Sequence, residues 1–90
     1  MDKYKITLIT DKDGQPRTDG RYPLRIGRIC KKPEPILDCP MCIEYLENAD
    51  GSDYSGRYLR TSSVQRVFEH GNIVRFETRN SIYRFEKVEE

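Results

Sequence analysis

Apolar and polar side chains alternate along most of this 90-residue chain, and that two-residue period predicts strands. From Tyr4 to Thr10, Ile6, Leu8 and Thr10 alternate with Thr7 and Ile9, most of them β-branched, and read as the first strand. Asp11-Lys12-Asp13-Gly14 is a turn signal, and the polar stretch through Gly20 is loop. Tyr22 to Ile29 alternates again, with Tyr22, Leu24 and Ile26 on one side and Arg25 on the other. Pro23 there suits the beginning or an edge of a strand. Three prolines between Lys31 and Pro40 predict an irregular, extended segment.

The stretch from Asp38 to Gly51 fits two templates. As a helix it has Asp38 as N-cap, Pro40 in the first turn and Gly51 as terminator, with Cys42, Tyr45, Leu46 and Ala49 on one face. As a strand, Ile43 and Tyr45 face one way while Cys42, Glu44 and Leu46 face the other. The β pattern on either side favours a strand over Met41 to Glu47. Asn48 to Gly56 is then a polar loop and Arg57 to Thr61 the returning strand.

Val64 to Glu69, Asn72 to Thr78 and Ser81 to Val88 follow as three short strands separated by His70-Gly71 and Arg79-Asn80, which predicts a β-meander. The chain therefore reads as a single, mainly β domain over residues 1–90. Its expected form is a small antiparallel, partly closed barrel or roll of six or seven short strands ending in that meander.

Two-residue turns fix a register by counting. Phe68 would oppose Ile73, Val67 would oppose Val74 and Arg66 would oppose Arg75, while Phe76 would oppose Tyr83 and Arg75 would oppose Arg84. Val67, Val74, Phe76, Tyr83 and Phe85 would then make the core face. The opposite face would carry Arg66, Arg75 and Arg84 abreast, interleaved with Val64, Phe68, Ile73 and Ile82. Like charges side by side are unfavourable, so such a row calls for compensation. Glu77 and Glu86, diagonal to the arginines, supply it if the face is a solvated ladder. An anionic partner supplies it if the face is an interface, because guanidinium forks match carboxylate and apolar neighbours exclude water. In a closed fold, the N-terminal strands or the proline-rich segment would cover the same face.

Charge sharpens this only locally. The formal net charge is +1, which gives no global pull toward nucleic acid or membrane. Yet Arg17 to Lys32 holds six basic residues against Asp19 alone, and Glu44 to Asp53 holds four acidic residues and no basic one. No apolar run approaches the roughly 20 residues of a membrane helix. The three cysteines, an odd count, and the lack of an apolar leader predict a reducing, cytoplasmic setting.

Cys39-Pro40-Met41-Cys42 has the spacing of two thiolates on one zinc ion, and Cys30 and His70 would be needed to complete four ligands. Gly usually follows the second Cys of such a knuckle, and Ile43 stands there instead. The same four residues resemble a thioredoxin-type redox motif, but no buried strand precedes them and Asp38 beside the thiol opposes a low pKa. The Asp-Gly pairs make turns without needing calcium. No phosphate loop, nucleophile elbow or metalloprotease helix is present.

Tyr58-Leu59-Arg60-Thr61-Ser62-Ser63-Val64 with Thr78-Arg79-Asn80-Ser81-Ile82-Tyr83 resembles small uncharacterised β-barrel proteins of bacteria and phages. The likeness implies an all-β module of the kind that can act as an inhibitor on a host protein, and it transfers no activity and no site. The expectation is thus a non-enzymatic interaction module using Arg66, Arg75, Arg84, Phe68 and Ile73 against an acidic protein surface. The alternatives are a nucleic-acid-binding small barrel that tracks phosphates with the Arg17–Lys32 segment and the arginine row, and a zinc or redox protein through Cys39, Cys42 and Cys30.

Overall fold

Phe76, Phe85, Tyr83 and Val74 alternate inward on the last hairpin and pack against Ile6 and Ile9 of the first strand, so the two ends of the chain share one core. In the computed structural model, which describes residues 2–88, six strands follow in order. They are β1 (Lys3–Thr10), β2 (Ile29–Lys31), β3 (Pro40–Glu47), β4 (Tyr58–His70), β5 (Ile73–Thr78) and β6 (Ile82–Lys87). Each pairs antiparallel with the next, and β6 pairs with β1 to close a barrel. Closure removes the exposed sheet edges that an open meander would present. Register shifts at Ile6/Leu8, Ile29/Cys30, Pro40/Cys42 and Val64/Arg66 bend the strands, which is how so few strands curl into a tube.

The strand template wins over residues 41–47. Met41, Ile43 and Tyr45 point into the barrel, and Cys42 and Glu44 point out. The expected strand over 22–29 does not form. Tyr22–Arg25 is a single helical turn (α1) with proline in its opening positions, and only Ile29–Lys31 pairs as a strand. Gly27 explains the break: its φ of +92° belongs to the left-handed region, where an alternating strand cannot continue. The tyrosine and leucine that mimicked a strand face are spent on that turn.

The final hairpin keeps its expected register, with Phe76 opposite Tyr83, Arg75 opposite Arg84 and Val74 opposite Phe85. In the preceding one the loop is displaced by one residue and the pairing by two. Its loop is Gly71-Asn72, so His70 opposes Ile73, Phe68 opposes Arg75 and Arg66 opposes Glu77. Gly71 stands at the first central position with φ +58°, as a type II′ turn requires. The expected loop would have forced His70 into that conformation. The bulge between Val64 and Arg66 then restores the inward side, so Val64 is fully buried opposite Thr78 rather than sharing the outer face. Val67 lies opposite Phe76 but is 38% exposed, near the free end of β4, and does not join the core.

Phe76 stacks on Tyr83 at 5.3 Å and on Phe85 at 5.6 Å between ring centroids. Replacing Phe76 with alanine is expected to cost about 3–5 kcal/mol in urea unfolding, enough to threaten a domain this small. Phe68→Ala, which removes a ring 55% exposed, is expected to cost below about 1 kcal/mol. Burial also raises the Cys30 thiol and the Tyr83 phenol to about 12 each. Raised folded-state values favour the protonated forms, so their contribution is complete below the ordinary thiol value of about 8.5. It is lost as pH rises toward 12, and circular dichroism should show alkaline unfolding in that window.

Candidate anion-binding cleft

The segments joining β1 to β2, β3 to β4 and β5 to β6 gather at one mouth of the barrel. The first, residues 11–28, is drawn in by backbone bonds from Ile6 N–H to the Arg28 carbonyl (3.0 Å) and from Gly27 N–H to the Ile6 carbonyl (2.8 Å). Gly27 is needed for close approach as well as for its φ, because a Cβ there would sit 3.3 Å from the Ala49 methyl. The second, residues 48–57, folds back through Tyr54 N–H to the Leu46 carbonyl (3.1 Å) and Tyr45 N–H to the Arg57 carbonyl (2.8 Å). Arg17 ties the third in by donating to the Asn80 carbonyl at 2.7 Å.

A cleft of about 150 Å³ lies between the first two segments, lined by Arg21, Arg25, Arg28 and Arg57 with Tyr45, Tyr54, Tyr58 and Leu59. The guanidinium of Arg28 lies over Tyr54 at 4.5 Å and over Tyr45 at 5.0 Å. Arg57 lies over Tyr54 at 4.7 Å, and Arg25 over Tyr22 at 4.9 Å. Stacking on ring faces fixes a guanidinium while leaving its N–H groups at the rim free to donate. Arg28 spends one donor on Asn48, Nε to Oδ1 at 3.1 Å. The lining contains no carboxylate, and among the described residues none of these four arginines enters an ion pair. Tyr45 is 3% exposed, and its hydroxyl is buried with no partner in hydrogen-bonding geometry. Burial pushes that phenol's pKa up, partly offset by Arg28, so it stays a protonated donor.

The acids of β3 and of the 48–57 loop are engaged elsewhere. Glu44 pairs with Lys31 at 2.9 Å and Glu47 with Lys3 at 3.5 Å. Asp50 and Asp53 accept from Ser52 and Ser55 in tight turns, bonds that lower both carboxyl pKa values. Arg17, by contrast, is paired with Asp19 at 3.2 Å and is no part of the free set.

The five residues expected on the outer face of the meander do lie together there, but as a checkerboard. One rung runs Phe68, Arg75, Arg84, and the neighbouring rung runs Arg66, Glu77, Ile82. Ile73 lies on the next rung with His70 and Glu86. Only Arg75 and Arg84 remain directly opposite. Arg84 donates to the Thr7 hydroxyl at 3.0 Å and pairs with Glu86 at 3.7 Å, while Arg75 lies over Phe68 at 5.5 Å. Glu77 is held by Lys12 at 2.7 Å, with Arg66 and Arg75 adding to the pull that lowers its pKa. Much of this face is therefore balanced by the chain itself. The cluster of basic residues from Arg17 onward was the sequence signal for the cleft. Tyr54 and Arg57 carried none, because nothing in a polar loop shows that it folds back over the barrel mouth.

The thiols do not converge. Cys30 is in the core, its Sγ donating to the Tyr4 carbonyl at 3.5 Å, whereas Cys39 and Cys42 are exposed. Among the described residues no group of three or more histidine, cysteine, aspartate or glutamate side chains is placed to hold a metal ion. The expected set of Cys30, Cys39 and Cys42 is thus split by the barrel wall, since Cys30 faces inward on β2 and Cys42 outward on β3.

No protein-family model, no curated protein and no solved structure matches the chain. With an aromatic disulfide reagent at neutral pH, Cys39 and Cys42 are expected to react promptly and Cys30 only after denaturation. Three thiols reacting at one rate in the folded protein would contradict the placement of β2.

Proposed function

We propose that the protein is a non-enzymatic interaction module that holds an acidic group of a protein partner in the cleft formed by Arg21, Arg25, Arg28 and Arg57. The observation that carries this reading is the convergence of four arginines, three of them stacked on tyrosine rings, with no carboxylate in the lining. Clustered arginine and tyrosine is also the composition of binding hot spots, where rigid amphipathic side chains lose little entropy on contact. Histidine, cysteine and carboxylate are missing from the lining, so the cleft offers donors and charge rather than a base or a nucleophile. The sheet face around Phe68, Ile73, Arg66, Arg75 and Arg84 is a subsidiary surface in this reading, because Lys12, Glu77 and Glu86 already balance much of its charge.

A nucleic-acid reading would set the same cations against phosphates and stack bases on the tyrosines. It is the weaker one. Tyr22, Tyr45 and Tyr54 each already carry a guanidinium over the ring, and the net charge is only +1.

Fluorescence anisotropy with a labelled hexaglutamate peptide at low salt tests the assignment. Wild type is expected to bind, and the Arg28→Glu/Arg57→Glu double variant to bind at least about tenfold more weakly, as expected for lost charge-assisted contacts. Arg75→Glu should bind nearly as wild type. Equal binding by wild type and the double variant would reject the cleft, and tighter binding of an oligothymidine probe than of the peptide would favour the nucleic-acid reading.

A further inference from the structure

The cleft does not end at Arg57. Tyr58, the next residue, lines both the cleft and a separate groove of about 740 Å³ outside β3. The groove is bounded by Ile36, Pro40, Cys42 and Tyr58, with Lys31 and Glu44 across it. Most of its charged residues are already matched: Lys31 pairs with Glu44 at 2.9 Å, Lys32 with Glu69 at 3.7 Å and Asp2 with Lys87 at 3.5 Å. Glu34, which also lines it, enters no ion pair among the described residues and opposes a second acidic group there. What else it leaves available is apolar: Ile36 is 64% exposed and Tyr58 is 49% exposed. Exposed large apolar side chains beside a concave surface are a binding feature rather than ordinary surface.

We infer that cleft and groove form one track for an extended peptide segment carrying an acidic side chain followed, within a residue or two, by a bulky apolar one. This inference rests on the cleft reading above and adds the second half of the recognition. The cleft, about 150 Å³, has room for a compact anionic head and little more. The groove is several times larger, offers the exposed side chains of Ile36 and Tyr58, and has no free cation among its described lining residues. Tyr58 is the shared wall, so the two subsites are neighbours. An extended chain advances about 3.3 Å per residue, which lets adjacent or next-but-one side chains enter them. Charge complementarity decides the acidic part, and the exposed Ile36 and Tyr58 beside the unpaired Glu34 decide the apolar part.

The test compares labelled hexaglutamate with hexaglutamate extended by Leu-Phe at either end. The better of the extended peptides is expected to bind about five- to tenfold tighter, the gain appropriate to burying one large apolar side chain. Ile36→Ser, which removes apolar surface from the groove without changing its charge, should abolish that gain while leaving hexaglutamate binding unchanged. In a Cys39→Ser background, the extended peptide should slow the reaction of Cys42 with the disulfide reagent, and hexaglutamate should not. If hexaglutamate binds through Arg28 but neither extension adds affinity nor shields Cys42, the groove is rejected and the cleft stands. If no peptide binds wild type, the cleft reading fails and the track fails with it.

Discussion

Pairing of the first strand with the last is the constraint on which the rest of this molecule depends. β1 and β6 meet along Tyr4–Thr10 and Ile82–Lys87, and the stacked rings of Phe76, Tyr83 and Phe85 fill the space that closure encloses. A 90-residue chain has one core to work with, and a chain this short buries only a modest part of its surface. Closure also determines which connections are neighbours. In an antiparallel barrel, alternate connections emerge at the same end. Residues 11–28 and 48–57 therefore meet although they are far apart in the chain, and Arg28 of the first segment settles on Tyr54 of the second.

Charge is sorted by the same geometry. Outward positions on the strands pair acid with base, as in Lys31 with Glu44 and Arg84 with Glu86, and Lys12 reaches from the first connection to Glu77. Exposed pairs of this kind contribute little stability individually, but they leave the wall of the barrel electrically quiet. At the mouth the cations are held by ring faces instead. Aromatic support leaves a guanidinium with its charge and most of its donors, whereas a carboxylate would consume both.

Strands that alternate over a core were legible in the sequence, and so was the final hairpin, because only one register buries Phe76, Tyr83 and Phe85 together. Where local backbone geometry overruled alternation, the sequence reading failed. Tyr22, Leu24 and Ile26 have a strand's period, but Pro23 and Gly27 make a helical turn and a break. His70-Gly71 is a turn dipeptide, yet Gly71 at the first central position relieves His70 of a left-handed φ, moving the turn by one residue and every cross-strand partner by two. That single step dissolved the arginine row and set Arg66 opposite Glu77. The basic character of residues 17–32 was visible, but its meaning was not. Tyr54 and Arg57 come from a loop whose return path depends on backbone bonds to Leu46 and Tyr45, which no side-chain pattern announces.

The placement of Asp50 and Asp53 bears on whether the cleft is an unfinished internal salt bridge or a site for something else. Both belong to the same loop as Tyr54 and Arg57, so they are the carboxylates in best position to neutralise it. Asp50 accepts from the Ser52 hydroxyl and backbone at 2.6 and 2.9 Å, and Asp53 from those of Ser55 at 2.7 and 3.0 Å. In each carboxylate Oδ1 accepts both bonds from its own loop, and the same bonds lower the pKa values and keep both groups ionised. Had the loop only to close over the barrel, pairing one aspartate with Arg57 would have given a charge pair in place of two turn bonds. Instead the loop locks its acids into turns and delivers a tyrosine and an arginine to the mouth, which leaves the cationic cleft open to an anion from outside the described chain.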